Sequence, residues 1–183
     1  MSNDLPNILY EYIGRVVVKA AELERALAEV YTTLTLGPPD GTTAEDERRA
    51  FVKTWASKPG TLLVAEMQKP DAGVPGHRRK EFDEYLGDVT TALGSRHGVA
   101  HSVWLQVEDT LWGTRNPRKS PNTQGNIKRG VAHVGETEAT LMEQVATLSR
   151  LVHWAYIWLG RFEAEWLSGR LPVRAQPGDE ATR

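Results

Sequence analysis

Cysteine is absent from the 183-residue chain, which removes disulfide staples, thiol nucleophiles and thiolate zinc sites and leaves five histidines as the only soft metal ligands. Equally absent is any apolar run approaching the roughly 20 residues of a bilayer-spanning helix, and the opening MSNDLPNILY has no basic segment followed by a hydrophobic one. A cytoplasmic protein without a membrane segment is expected. The sequence also lacks a glycine-rich phosphate loop, a Gly-x-Ser-x-Gly elbow and a His-Glu-x-x-His pair.

Acidic residues are missing from one stretch in particular. The formal net charge of −2 argues against a nucleic-acid binder that works by bulk charge. Between Thr110 and Gly135, however, there is no Asp or Glu, while Arg115, Arg118, Lys119, Lys128 and Arg129 supply positive charge. The plain reading of such a run is a solvated loop.

What is present is helical periodicity. With 40% hydrophobic and 25% charged residues the chain can bury one sizeable core, and residues 1–168 are expected to form one domain. Leu9, Ile13, Val16, Ala20, Leu23, Leu27, Val30 and Leu34 step alternately by four and three, which predicts a helix over 7–36 that Gly37-Pro38-Pro39 ends. Thr42 and Glu45 have the form of a capping box before a short helix with Phe51, Val52 and Trp55 on its apolar face. A third short helix follows over 61–68, then a Pro/Gly-rich loop over 69–76.

Phe82, Leu86, Val89 and Leu93 carry a central helix, and Leu141, Val145, Leu148, Val152, Ala155, Leu159, Phe162 and Trp166 a second long one over 137–168. Between them Val103–Val107 and Ile127–Val134 are rich in β-formers. The fold class expected is all-α, a helical bundle with two long amphipathic helices, shorter helices and a small extended or β-hairpin insertion. Residues 169–183 lack an apolar pattern and are expected to be a disordered tail. Trp55, Trp154, Trp158 and Trp166 fall on or beside helical seams, where core packing or a subunit interface is expected.

The chemistry-bearing residues lie at the end of the central helix. Its apolar stripe runs into Gly94-Ser95-Arg96-His97-Gly98-Val99-Ala100-His101-Ser102, so that Arg96 stands where a core residue is due and calls for an anionic partner. On a helix Arg96 and His101 lie about 140° and about 7.5 Å apart, a gap the long arginine side chain spans, and His97 lies within about 40° of His101. Gly94 and Gly98 strip one face of side chains at a cost of about 1 kcal/mol each relative to alanine.

At Arg96-His97-Gly98-Val99-Ala100-His101 the sequence resembles the HEPN superfamily, helical bundles marked by an arginine, four to six intervening residues and a histidine, with a polar residue directly after the arginine. The resemblance covers roughly 7–168, and His97 stands where asparagine is commoner. It implies a metal-independent endoribonuclease without a cofactor, working as a homodimer whose two motifs face each other. His101 would be the proton-transfer residue, Arg96 the phosphate clamp and His97 the adjoining polar position, while the basic segment would track the RNA backbone. It further implies a toxin or phage-defence effector, with RNA, a second copy and an antitoxin protein as partners. Three other readings stand beside it. Arg96 pairs with a carboxylate such as Glu22 or Glu143 and His101 is structural; His97 and His101 ligate a metal with His133 or His153; or the fold binds nucleic acid or a protein partner without cutting.

Overall fold

The computed structural model describes residues 7–38, 44–101, 103–107, 110–115 and 132–170, of which 7, 8, 44, 101 and the three strands are described as backbone. The chain is an all-α helical bundle of α1 (Asn7–Leu36), α2 (Ala44–Ala56), α3 (Gly60–Met67), α4 (Gly76–His101) and α5 (Glu138–Leu167). Between α4 and α5 it carries a small antiparallel sheet of β1 (Val103–Val107), β2 (Thr110–Arg115) and β3 (Ala132–Glu136), in that order. The insertion is thus a three-stranded meander. The expected stretch Ile127–Val134 meets β3 only from Ala132, and its first five residues lie outside the described residues. Thr42 and the tail over 171–183 also lie outside them.

The chain packs as two compact units, one drawing on α1 up to Ala20 and on Ala92–Leu148, the other on Ala21–Thr91 and the chain from Ser149. The first buries Leu9, Val16 and Ala20 of α1, Ala92, Leu93 and Val99 of α4, and Leu141 and Leu148 of α5. Its α5 begins with a reciprocal cap. The Thr137 hydroxyl accepts from the Thr140 N–H at 3.2 Å, and the Thr140 hydroxyl accepts from the Thr137 N–H at 2.9 Å, satisfying donors that the first helical turn leaves unpaired.

The second unit holds an aromatic core. Phe82 of α4 meets Trp158 and Phe162 of α5 edge-on at 5.0 and 5.1 Å between ring centroids, and Tyr31 meets Trp55 edge-on at 4.7 Å. These geometries match the ring quadrupoles as well as burying area. The buried face of α5 includes Leu151 and Trp158, one position off the expected row, and Val145, Val152, Leu159 and Trp166 are half-buried at its margin. Trp154, beside the seam, is 37% exposed.

Polar contacts tie the helix ends of this unit. The Gly60 N–H donates to the Glu24 carboxylate at 3.2 Å, placing negative charge at the start of α3. The first turn of α4 is basic, against its own dipole, and is compensated from α5: buried Glu165 accepts from His77 Nε2 at 3.1 Å and lies 3.7 Å from Arg78 Nε. Arg79 holds the turn after α3 by donating to the carbonyls of Gln68 and, at 3.0 Å, Lys69.

Gly37 ends α1 with φ +82°, and a Cβ there would stand 2.6 Å from the Trp166 ring. Arg48 donates to the Gly37 carbonyl and, at 2.6 Å, to the Thr33 hydroxyl, fixing the same turn. Gly37→Ala is expected to cost about 2–4 kcal/mol, from left-handed backbone strain plus overpacking, as read from a urea melt.

Tyr85 supplies a pH signature. Its hydroxyl donates to the Leu151 carbonyl at 3.1 Å, and burial pushes the phenol well above its usual value. The unfolded chain therefore loses this proton first as pH rises. Stability from this residue is expected to be complete below about pH 10 and to fall above it. In urea melts at pH 9 and pH 11, Tyr85→Phe should lose less stability between the two than the wild-type chain.

Candidate active site

The candidate residues lie at the C-terminal end of α4, within the first unit. Phe82, Leu86, Val89 and Leu93 are buried along the helix as the spacing predicts. Arg96 then breaks the stripe and is half-buried rather than enclosed, because the row after Leu93 passes partly to Val99, which is 1% exposed. Arg96 Nε is nonetheless buried and has no hydrogen-bond partner among the described residues. A buried N–H left without any partner costs about 1–3 kcal/mol, and Arg96 Nε is one of several buried polar atoms left open among the described residues. Among the described residues of its own unit Arg96 makes no ion pair, and Glu143, one of the carboxylates expected for a structural pairing, is exposed.

His97 is exposed on the same helix. His101 is the last residue of α4, and its side chain lies outside the described residues. Ideal helix geometry keeps the two α-carbons of Arg96 and His101 about 7.5 Å apart along the axis. Among the described residues, and apart from the chain neighbours and the nearby backbone of α4, no heavy atom lies within 4 Å of where a Cβ of Gly94 or Gly98 would stand.

The sheet adds a juxtaposition that sequence reasoning did not foresee. In β1·β2 Val103 stands opposite Thr114, and in β2·β3 Arg115 stands opposite Ala132. Pairing of this kind holds opposed α-carbons about 4.5–5.5 Å apart. Arg115 is therefore at the end of the sheet where β1 leaves α4, only two residues beyond His101. Both anchors of the acid-free segment, Arg115 and Ala132, lie at that end. Arg118, Lys119, Lys128 and Arg129 lie outside the described residues.

The alternative of a metal centre draws on His97, His101 and either His133 or His153. Among the described residues no group of three His, Cys, Asp or Glu is close enough to hold an ion, and the side chains of His101 and His133 lie outside them. No helix of the described residues is long and apolar enough to cross a membrane.

What the arrangement offers chemically is a guanidinium with a buried donor left open among the described residues, two histidines within one and a half helical turns, and a cationic strand end beside them. A guanidinium suits a phosphate, and an imidazole suits proton transfer near neutral pH. The chain matches no family model, no curated protein and no solved structure.

Proposed function

We propose that the protein is a metal-independent endoribonuclease of HEPN type that acts as a homodimer. The observation that carries the reading is Arg96, whose buried Nε lacks a partner among the described residues, five residues ahead of His101 on one helix. In the proposed reaction the RNA's own 2′-hydroxyl attacks the adjoining phosphorus and gives up its proton to one His101. The P–O5′ bond breaks as a second His101, from the other copy, protonates the leaving oxygen. The products are a 2′,3′-cyclic phosphate and a free 5′-hydroxyl. Arg96 holds the phosphoryl oxygens and stabilises the charge that develops on them, with His97 as the adjoining polar group.

The open space beside Gly94 and Gly98 supports the dimer, since a second copy would fill it and bring two motifs together. The biological role that follows is a toxin or phage-defence effector, with an antitoxin protein as its inhibitor. The test of activity is incubation of the purified protein with mixed RNA in chelator. Shortened RNA is expected, and RNA left intact by a dimer that binds it would favour a non-catalytic binding module instead.

The basic segment has its own expected outcome. Changing Arg115, Arg118, Lys119, Lys128 and Arg129 together to glutamine should weaken RNA binding and flatten its salt dependence by about 0.7 in log–log slope for each phosphate no longer neutralised. Fluorescence anisotropy across a salt series reads the slope, and an unchanged slope would return the segment to a solvated loop.

A further inference from the structure

A second acid-free stretch lies in α5. From Gln144 to Phe162 there is no Asp or Glu, while Arg150, His153 and Arg161 are interleaved with four aromatic rings. At 100° per residue Arg150, Trp154, Ile157 and Arg161 fall within an arc of about 60°, a row about 16 Å long. Arg150, His153 and Trp154 are exposed, and Trp154 is the outermost ring of a stack: the Arg161 guanidinium lies 4.7 Å from the Trp158 ring centroid and 5.9 Å from that of Trp154. Arg161 is fixed in this position by donating to Glu81 of α4 at 2.7 Å.

An exposed tryptophan held beside an arginine, with the exposed Arg150 one turn before it, is poorly suited to an apolar helix, whose docking would strand the Arg150 charge. It suits a polyanion that carries flat apolar rings. We infer that this face of α5 is a stacking platform for single-stranded RNA, with a base on Trp154, which Arg161 braces while paired to Glu81, and a backbone phosphate at Arg150. The row is as long as a few nucleotides, and stacking on a ring without base-edge donors is tolerant of sequence. The choice of RNA as the occupant rests on the ribonuclease reading; the platform itself uses none of the residues of the proposed active site.

The test is anisotropy titration of the full chain with a labelled 12-nucleotide 2′-O-methyl oligouridylate, which cannot be cleaved through its 2′-oxygen. Trp154→Leu, which keeps apolar bulk and removes the ring, should weaken binding by about 5- to 150-fold, with Trp154→Phe much closer to wild type. Arg150→Gln, an exposed change with no packing to lose, should lower the log–log salt slope by about 0.7. Wild-type affinity in both Trp154→Leu and Arg150→Gln would overturn the platform. So would absence of oligouridylate binding by the wild-type chain, or equally tight binding of polyglutamate, which would make the partner an acidic protein. If Trp154→Leu loses binding while no RNA is ever cut, the platform stands and the ribonuclease reading falls. If RNA is cut through Arg96 and His101 and Trp154→Leu binds normally, the platform alone falls.

Discussion

Replacing either Arg96 or His101 with alanine is expected to lower RNA cleavage by about 100-fold or more while leaving the chain folded. For His101 the loss is that of proton transfer at both the attacking and the leaving oxygen. For Arg96 it is the loss of charge facing the phosphorane, and Arg96→Lys should recover only part of it, because an ammonium cannot reproduce the two parallel donors of a guanidinium. Stability separates this outcome from a structural role. Truncating Arg96 removes a buried donor that has no partner among the described residues, so the melting temperature of Arg96→Ala should stay level or rise. A guanidinium engaged in a buried ion pair would behave oppositely and cost about 3–5 kcal/mol on removal. Single-turnover cleavage measured beside a thermal melt reads both quantities on the same preparation.

Phe82→Ala should be the most destabilising single change in the second unit, by about 3–5 kcal/mol. Phe82 is fully buried and lies within 6.0 Å, between ring centroids, of Tyr85, Trp158 and Phe162. Its removal forfeits transfer energy and the packing against all of these rings at once. The surrounding rings are themselves rigid, so they collapse poorly into the vacated space, and the cavity term stays large. Chemical denaturation should show the midpoint falling with little change in slope. A loss under 1 kcal/mol would mean that the cluster is far looser than its geometry.

Helix positions were legible because two independent signals coincide in them. The four-and-three spacing from Leu9 to Leu34 and the Gly37-Pro38-Pro39 stop define α1 at Asn7–Leu36, as expected from the sequence. In α5 the same spacing is less sharp, since Leu151 and Trp158 compete with Val152 and Leu159 for one apolar face; the first pair is buried, with Trp158 packed against Phe82 and Tyr85. That shift carries Trp154 to the edge of the buried face, where it is 37% exposed. Strand β2 was hidden by composition: Thr110–Arg115 is six residues long, contains Gly113 and overlaps the basic segment, and only long-range pairing with β1 and β3 defines it. The end-to-end placement of Arg115 near the exit of α4 follows from that register and has no local signal. Arg96 was legible as an anomaly in an apolar row, whereas its orphaned Nε is a property of the packing around it.

The most direct measurement of the proposed chemistry is the chemical nature of the cut ends, obtained by incubating the wild-type chain in chelator with an RNA oligomer and with the same oligomer carrying a single 2′-deoxynucleotide at the cleaved position. The expected result is a 2′,3′-cyclic phosphate on the upstream product, a 5′-hydroxyl on the downstream one, and no cutting at the deoxy position, because the proposed nucleophile is the RNA's own 2′-oxygen. Cleavage that persists at the deoxy position, or that stops in chelator and returns with a divalent ion, would contradict it.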